Sequence, residues 1–392
     1  MYNLAYGSLR SYEIKLPKKI VFGIGSLDKL GLEAKTLTEG RSTLIVTDEN
    51  IARIGIASRV ERILLDEGFK IEIFDKVESE PSIDTAEAIS RYARSARFDL
   101  VIGVGGGSVM DMAKIASIAS TNPKPVRNYI GINLVEKPGL PHILIPTTAG
   151  TGSEATDIAV VTLPEDEVKS SVISPYLLPD TALIDPSLTY TLPPRITAST
   201  GLDAISHALE ALMSVNSNLI TDILALEALK LAYIYLPEAY SSPNPENRYY
   251  MSLAALLAGI ALCNAGVCLG HALAYTFAVK YRVPHGVSCG LTLPYAFEYN
   301  SISIDRKIPC IAKSMGVEVE GRSIKELSKT IKDNLLKLLE KLGIPTKLRQ
   351  LGIERNDIPT LASKLLSLER LLKRNPRTVT IYEALEIIEE MW

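Results

Sequence analysis

Short apolar runs alternate with helical patterns through the first half of the chain. The apolar runs, whose lengths predict β-strands, are 42–47, 70–74, 100–104 and 142–146. Apolar positions near every 3.6 residues predict helices between them, at 54–67, 82–96 and 109–120. This alternation predicts βαβ units and a parallel sheet. Two further runs, 158–163 and 168–173, flank a charged turn, which predicts a hairpin added to that sheet.

The pattern changes near residues 185–195, where three prolines in eleven residues predict a connector. After this point strand patterns almost vanish. The helical patterns that follow lie at 196–213, 219–236, 248–263, 323–342, 358–373 and 382–391. The chain therefore divides into a predicted α/β domain over residues 1–192 and an all-helical domain over residues 193–392.

Composition narrows the class of protein. With 392 residues, 47% of them hydrophobic and 22% charged, the chain is typical of a globular protein of about two domains. Its net charge of −3 argues against a nucleic-acid partner and favours a small-molecule one. The most apolar stretch, 253–279, is interrupted by polar residues and glycines, so it predicts a buried helix rather than a membrane span.

The N-terminal segment, the cysteines and the amide content predict the location and the source of the protein. Residues 1–12 lack a signal-peptide pattern, and the four cysteines show no paired spacing, so we expect reduced thiols in a cytoplasmic protein. A single glutamine, Gln350, together with plentiful Lys and Glu, predicts a thermophilic source.

A glycine-rich turn joins the strand at 100–104 to the helix after it. Gly105, Gly106, Gly107 and Ser108 form this turn, and such a turn at a helix N-terminus suits a phosphate group. The usual dinucleotide fingerprint has a third glycine where Ser108 stands, so a tight turn without a ligand is the alternative.

Two other segments follow strands in the same way. Residues 146–154 are rich in hydroxyl groups, which fits a ligand crevice at the carboxyl ends of strands as well as an ordinary polar loop. Asp48 ends the strand at 42–47. Its carboxylate suits a ribose hydroxyl, and it equally suits the N-cap of the helix that follows.

The chain has only four histidines, and three of them fall in the helical half. Asp203 and His207 stand four residues apart, on one face of a predicted helix, and His271 and His285 follow later. Three imidazoles and a carboxylate are a complete ligand set for a divalent ion such as Fe²⁺ or Zn²⁺. The alternative for each histidine alone is an ordinary core residue. His142 begins a buried strand and is interpreted as structural.

Several motifs together resemble the iron-containing (group III) alcohol dehydrogenase family. The pairs Asp203/His207 and His271/His285 have the family's spacings of four and fourteen. The matching stretches occur in the family's order: GGGSVMDMAK (105–114), PTTAGTGSEAT (146–156), DPSLTYTLPP (185–194), TGLDAISHALEA (200–211), GHALAY (270–275), VPHG (283–286) and NPR (375–377).

The resemblance implies a fold, a function and site residues. It implies a Rossmann-like nucleotide-binding domain followed by a helical metal-binding domain, in a dehydroquinate synthase-like architecture. It implies an NAD(P)-linked enzyme that transfers hydride reversibly between an alcohol or diol and its aldehyde or ketone, with the metal polarising the substrate oxygen. The implied metal ligands are Asp203, His207, His271 and His285. The implied cofactor-binding residues are Asp48, Gly105, Gly106, Gly107, Ser108, Asp111, Thr147, Thr148, Thr151, Lys169 and Leu188, with Lys114 in the same motif as Asp111.

Two positions refine these expectations. Asp48 matches a position where members that use NAD carry an acid, so NAD is preferred over NADP. Tyr275 stands where many members have a second histidine, four residues after the third ligand. A tyrosine here resembles the hydroxyacid–oxoacid transhydrogenase branch, and it suits a hydrogen bond to substrate or simple packing.

Other functions remain open at this stage. They are the transhydrogenase, a lyase of the dehydroquinate synthase type, and a nucleotide-binding protein without activity. A homodimer is the expected oligomeric state of a soluble enzyme.

Overall fold

The computed structural model describes residues 11–392, so most of the segment 1–12 lies outside the described part. The chain packs as two compact units. One is Lys15–Thr191, and the other runs from Leu192 to Trp392 and includes residues 11–14. The sequence-based domain limits, 1–192 and 193–392, stay a prediction beside this division.

The unit Lys15–Thr191 is built from strands and helices in alternation. Its strands are β1 (Lys19–Phe22), β2 (Ser42–Val46), β3 (Lys70–Phe74), β4 (Leu100–Gly105), β5 (Gly131–Ile132), β6 (His142–Pro146), β7 (Ile158–Leu163), β8 (Val168–Ile173) and β9 (Thr181–Ile184). Its helices are α1 (Leu30–Leu37), α2 (Glu49–Arg53), α3 (Ile56–Asp66), α4 (Ile83–Ser95) and α5 (Gly107–Ala119).

Six of these strands form a parallel sheet in the order β1-β9-β6-β4-β2-β3. Every residue of the central strands β4 and β6 is buried, as expected for a parallel sheet covered on both faces. From β2 the chain proceeds to β3 on one side and then to β4 on the other. The carboxyl ends of β2 and β4 therefore flank the switch point, where open α/β sheets bind ligands.

The hairpin prediction was correct in its strands and wrong in its sheet. Strands β7 and β8 pair in antiparallel fashion from Ile158↔Ile173 to Leu163↔Val168. They form a separate three-stranded sheet with β5 rather than extending the parallel one. Burial alternates along β7, which is the mark of a strand covered on one face and differs from the fully buried central strands.

The second unit is helical in its described part. Its helices are α6 (Pro194–Met213), α7 (Leu219–Ser241), α8 (Pro245–Ala265), α9 (Leu269–Phe277), α10 (His285–Ser301), α11 (Ile308–Ser314), α12 (Ile324–Lys341), α13 (Ile358–Ser367), α14 (Glu369–Leu372) and α15 (Ile381–Met391). Capping boxes at Asn218, Asn244, Ser323 and Thr380 begin α7, α8, α12 and α15. The single helix predicted at 358–373 is interrupted at Leu368, which separates α13 from α14.

The apolar stretch at 253–279 is a bent pair of helices. Helix α8 ends at Ala265, α9 begins at Leu269, and the two axes differ by 98°. Within residues 11–392, no single helix has both the length and the apolar character needed to cross a bilayer, although this bent pair together meets those two criteria.

Candidate functional site

Helix α6 carries the first pair of predicted metal ligands. Asp203 and His207 lie one turn apart and are almost fully buried. The Nε2 atom of His207 lies 3.5 Å from Oδ1 of Asp203. The i, i+4 spacing found in the sequence therefore places the two side chains next to each other on one face of α6.

Helices α9 and α10 bring the other two histidines to the same carboxylate oxygen. Nε2 of His271 lies 3.8 Å from Oδ1 of Asp203, and Nε2 of His285 lies 3.6 Å from it. Oδ1 of Asp203 and Nε2 of His271 are both buried and have no hydrogen-bond partner among the described residues. Buried polar atoms left without partners are costly, so this convergence favours a bound ion.

The spacing of these atoms matches what a metal ion requires. Two donors about 2.1 Å from one tetrahedral ion lie about 3.4 Å apart. The three observed separations, 3.5, 3.6 and 3.8 Å, are slightly longer. The carboxylate and imidazoles therefore fit a divalent ion of the Fe²⁺ or Zn²⁺ type.

Glu210 holds His271 in the orientation that a metal ligand needs. Its Oε1 accepts hydrogen bonds from the backbone N–H of His271 (2.9 Å) and from Nδ1 of the same ring (2.5 Å), while Oε2 accepts from the N–H of Cys268 (2.6 Å). With the proton on Nδ1, the lone pair of Nε2 points into the cluster. Burial opposes ionisation of Glu210, but the charge and hydrogen bond of His271 outweigh it and lower its pKa.

A glycine makes this contact possible. A Cβ atom on Gly270 would lie 2.6 Å from Oε1 of Glu210, so any side chain there would push the carboxylate away. The sequence analysis did not identify Glu210 as a functional residue. Its position in TGLDAISHALEA, three residues after His207, could have indicated a place near the same helix face.

Tyr275 borders the cluster, one turn after His271. Its ring centroid lies 6.1 Å from that of His271 and 5.7 Å from that of His285. Burial raises the pKa of Tyr275 to about 12. Its hydroxyl therefore keeps its proton and can donate a hydrogen bond.

Cys289 is a second residue that the sequence reasoning missed. It follows His285 by one turn of α10, and its Sγ lies 3.6 and 3.7 Å from the two ring nitrogens of that histidine. Its sulfur, one oxygen of Asp203 and one nitrogen each of His271 and His285 all lie within 4.8 Å of one another.

The predicted cofactor-binding residues lie in the unit Lys15–Thr191, and two of their segments, the glycine turn and the hydroxyl-rich loop, follow the carboxyl ends of β4 and β6. Gly105 ends β4, Gly106 caps α5, and Gly107 and Ser108 form the first turn of that helix. The N–H of Thr147 donates to the carbonyl oxygen of Gly105 (2.9 Å), so the loop after β6 lies against the glycine turn.

Close packing of these two segments requires glycine at position 107. A Cβ atom there would lie 2.6 Å from Cγ2 and 2.8 Å from Oγ1 of Thr151. The Oγ1 atoms of Thr147 and Thr148 are buried without a hydrogen-bond partner among the described residues. Unpartnered hydroxyls beside a helix N-terminus fit a bound phosphate.

Asp111 and Lys114 hold the hydroxyl-rich loop in place. Asp111 accepts from the hydroxyl of Ser153 (2.6 Å) and from the N–H of Val160 (2.9 Å). The fully buried Lys114 donates to Ser153 (2.8 Å) and Thr156 (3.0 Å). Both oxygens of Asp111 are thus engaged within the protein, which favours a positioning role over direct contact with a cofactor.

Asp48, the remaining acid of the predicted cofactor set, caps a helix. Its Oδ1 accepts from the N–H groups of Asn50 (2.8 Å) and Ile51 (3.0 Å) at the start of α2. Asp48 is therefore the N-cap of α2, which is one of the two roles that the sequence predicted for it. Asp48 also lies two residues after the end of β2, at the switch point of the sheet.

Two residues of the predicted cofactor set, Ser108 and Lys169, contact Glu80, which the sequence did not single out. The N–H of Glu80 donates to Oγ of Ser108 (3.1 Å), and its carboxylate lies 3.3 Å from Nζ of Lys169. Leu188 is buried in a short helical turn after β9. His142 is buried in β6, where its ring contacts Ser117, and burial lowers its pKa, in keeping with the structural role expected for it.

Comparison with known proteins identifies the chain. A family model described as iron-containing alcohol dehydrogenase matches residues 17–186, and a model described as Fe-containing alcohol dehydrogenase family, C-terminal, matches residues 197–392. The chain belongs to the iron-containing alcohol dehydrogenase family.

Individual relatives agree with this membership. Long-chain-alcohol dehydrogenase 1 of Geobacillus thermodenitrificans is 38% identical over 380 residues, covering 92% of this chain and 93% of the relative. The structure of an alcohol dehydrogenase from Oenococcus oeni has a TM-score of 0.93 and 33% identity, covering 97% of this chain and 100% of that one. A sulfoacetaldehyde reductase from Bifidobacterium kashiwanohense, solved in complex with NAD⁺, has a TM-score of 0.86 and 28% identity, covering 97% and 99%.

These matches confirm the family resemblance, the dehydroquinate synthase-like fold and the prediction of an iron-type alcohol dehydrogenase. The predicted metal and nicotinamide cofactors agree with the family's iron dependence, with the NAD⁺ complex of that relative and with the cluster around Asp203. The roles of the individual site residues stay predictions.

Proposed function

We propose that Asp203, His207, His271 and His285 hold the catalytic metal ion of this alcohol dehydrogenase. The observation that carries the proposal is the convergence of three imidazole nitrogens, at 3.5–3.8 Å, on one unpartnered buried oxygen of Asp203. A divalent ion held there supplies Lewis-acid polarisation of the substrate oxygen.

The chain's own residues prepare the site for that chemistry. Glu210 keeps the His271 proton on Nδ1 and so presents Nε2 to the ion. Tyr275, with a pKa raised by burial to about 12, donates a hydrogen bond to the substrate oxygen. Burial of Asp203 and His271 keeps water away from the donor atoms and strengthens their electrostatic interactions.

We assign the nicotinamide cofactor to the glycine turn and the hydroxyl-rich loop. Gly106, Gly107 and Ser108 present N–H groups at the start of α5, and Thr147 and Thr148 supply the unpartnered hydroxyls. Held there, NAD would supply the hydride acceptor for oxidation of an alcohol, and NADH would supply the hydride donor for the reverse reaction. The position of Asp48 at the end of β2 supports NAD over NADP, because its carboxylate would repel a 2′-phosphate.

The proposed substrates are primary or secondary alcohols and diols, with their aldehydes and ketones. The relatives act on substrates of different polarity: the names of two of them refer to a long-chain alcohol and to sulfoacetaldehyde. Substrate polarity is therefore the first property to vary in an assay.

The experiment that tests this function combines metal analysis with a substrate panel. Chelated protein, reloaded anaerobically with Fe²⁺ or Zn²⁺, is assayed for NAD and NADP reduction with alcohols, diols and hydroxyacids. We expect metal-dependent reduction of NAD. Full turnover after chelation would refute the metal role. Turnover of a paired hydroxyacid and oxoacid without added nicotinamide would instead identify the transhydrogenase branch.

The homodimer, the cytoplasmic location and the thermophilic source also stay proposals for this chain. Light scattering of the purified protein and a thermal unfolding curve test the first and the last of them.

A further inference from the structure

We propose that Glu80 weakens the hold of the cofactor site on its nucleotide by neutralising the charge of Lys169, and so speeds the release of NADH. This inference rests on the cofactor site of the proposed function and adds to it a residue that determines affinity and release. Glu80 lies in the segment between β3 and α4, where it contacts both Ser108 and Lys169.

The backbone of Glu80 is held in an uncommon conformation. Its φ of 56° lies in the left-handed region, which a residue with a Cβ atom seldom adopts. Two hydrogen bonds to β7 hold the segment there. The hydroxyl of Thr162 donates to the carbonyl oxygen of Glu80 (3.2 Å), and the N–H of Thr162 donates to that of Pro81 (2.8 Å). Strained residues that the surrounding structure fixes in this way concentrate at ligand sites.

This conformation directs the N–H of Glu80 toward the glycine turn. The N–H donates to Oγ of Ser108 (3.1 Å), so the hydroxyl oxygen accepts a hydrogen bond within the protein. A hydroxyl that accepts on one side can donate its proton on another. Ser108 belongs to the first turn of α5, where a phosphate would accept such a bond. The backbone of Glu80 therefore orients Ser108 as a donor.

The side chain of Glu80 determines the charge beside that turn. Its Oε2 lies 3.3 Å from Nζ of Lys169 on β8. The side chain of Lys169 is 5% exposed and that of Glu80 is 30% exposed, so water and salt screen the pair only in part.

Neutralising this lysine changes how the site binds a dinucleotide. An ammonium group without the nearby carboxylate would attract the cofactor's phosphates more strongly, whereas a neutral pair leaves recognition to the N–H and hydroxyl groups of the turn. Product release limits turnover in many enzymes, so a weaker hold has a functional use. We therefore expect Glu80 to lower the affinity for NADH and to speed its dissociation.

The dissociation constant and the dissociation rate of NADH test the proposal without relying on turnover. Both are measured on the metal-loaded protein, the first by nicotinamide fluorescence and the second by stopped-flow displacement with excess NAD. Glu80→Gln keeps the size of the side chain and removes its charge. We expect the Kd for NADH to fall about two- to fivefold, through slower dissociation. The matched control is Glu39→Gln, at an exposed position before β2, which should bind NADH as the wild type does.

A double-mutant cycle separates the charge of Glu80 from its packing. Lys169→Met should raise the Kd, since the negative charge of Glu80 then opposes that of the phosphates. In that background Glu80→Gln should tighten binding by a larger factor than in the wild type. Glu80→Asn removes the same charge with a residue type that tolerates a left-handed φ, and it should also tighten binding. If Glu80 only held the fold, each of its substitutions would loosen binding in either background.

The outcomes separate the two proposals. If Glu80→Gln and Glu80→Asn leave the Kd and the dissociation rate unchanged, or raise the Kd, the charge role of Glu80 is overturned and the cofactor site stands. If the wild-type protein binds neither NADH nor NADPH, the proposed cofactor site and the role of Glu80 both fail.

Discussion

At the scale of residues, the proposed metal site is centred on one carboxylate oxygen. Oδ1 of Asp203 is the common neighbour of three imidazoles, and it is buried without a hydrogen-bond partner in the described part of the chain. Glu210 stands behind His271 and determines which nitrogen of that ring is available. The orientation of His271 thus depends on a carboxylate that lies in the motif TGLDAISHALEA but was not singled out there.

Replacing this carboxylate by an amide tests its role. Glu210→Gln keeps the size of the side chain, but its amide nitrogen would face an N–H group of Cys268 or His271. We expect the affinity for Fe²⁺ or Zn²⁺ to fall about 10- to 100-fold, measured by competition with a chromophoric chelator. Glu227→Gln, on the outer part of α7, is the control. Unchanged metal affinity in Glu210→Gln would contradict a positioning role.

A second prediction at this scale concerns Glu154, the last residue of the hydroxyl-rich loop. Burial raises its pKa to about 7 from a usual value near 4.5, and the charge of Lys114 offsets this only in part. The folded protein therefore holds a proton that the unfolded chain releases between these two pH values. As a result, the free energy of unfolding falls as pH rises from about 4.5 to about 7, by up to about 3 kcal/mol.

Glu154→Gln should abolish the part of this fall in the free energy of unfolding that comes from Glu154. Denaturant unfolding of the cofactor-free protein at pH 5 and pH 8 should show a smaller decrease for the variant than for the wild type, whereas exposed Glu320→Gln should behave as wild type. Equal decreases in wild type and Glu154→Gln would show that Glu154 does not titrate in this range.

At the scale of elements, the junction between β4 and α5 positions the nucleotide site. The strand ends at Gly105, the helix begins at Gly107, and the loop after β6 packs directly against this turn. Neither segment can shift without disturbing the other, because Asp111 and Lys114 tie α5 to Ser153.

Gly107→Ala tests this packing. The new methyl group would lie 2.6–3.0 Å from atoms of Thr151, so the loop must move. We expect the Kd for NAD to rise at least about tenfold, equivalent to about 1.4 kcal/mol, with metal content unchanged. Ser120→Ala, at the other end of α5, should bind NAD normally. A wild-type Kd for NAD in Gly107→Ala would contradict the proposal that this turn binds the cofactor.

The elements that sequence patterns revealed are those with a clear period. Strands β3 and β6 match their predicted limits, since β3 alternates charged and apolar residues and β6 is a mainly apolar five-residue run. Helix α10 was not predicted, and α9 was predicted only as part of one buried helix over 253–279, although each carries a predicted metal ligand. Every residue of α9 is buried, so no polar face marks a helical period. Strands β1 and β9 have only four residues each, too few for a pattern.

In the candidate site, too, the sequence revealed only relations between residues of one element. Asp203 and His207 could be paired from spacing alone because one helix carries both. Glu210 and Cys289 join the cluster only through the packing of α9 and α10 near α6, which spacing within one helix does not reveal. The clustering of histidines in the helical half first indicated His271 and His285, the family resemblance matched them to ligand positions, and the structure showed which residues contact them.

At the scale of the whole molecule, the two ligand sites belong to separate compact units, each with its own buried core. The proposed metal ligands lie in Leu192–Trp392, and the proposed cofactor-binding residues lie in Lys15–Thr191. Binding of metal and of NAD should therefore respond independently to a substitution in one unit.

The most direct test of this account is the metal content and NAD affinity of His207→Ala, measured on the same preparation after anaerobic reloading with Fe²⁺. The account predicts loss of stoichiometric iron and of metal-dependent turnover, while the Kd for NAD stays at its wild-type value. A variant that retains stoichiometric iron, or full activity after chelation, would contradict it.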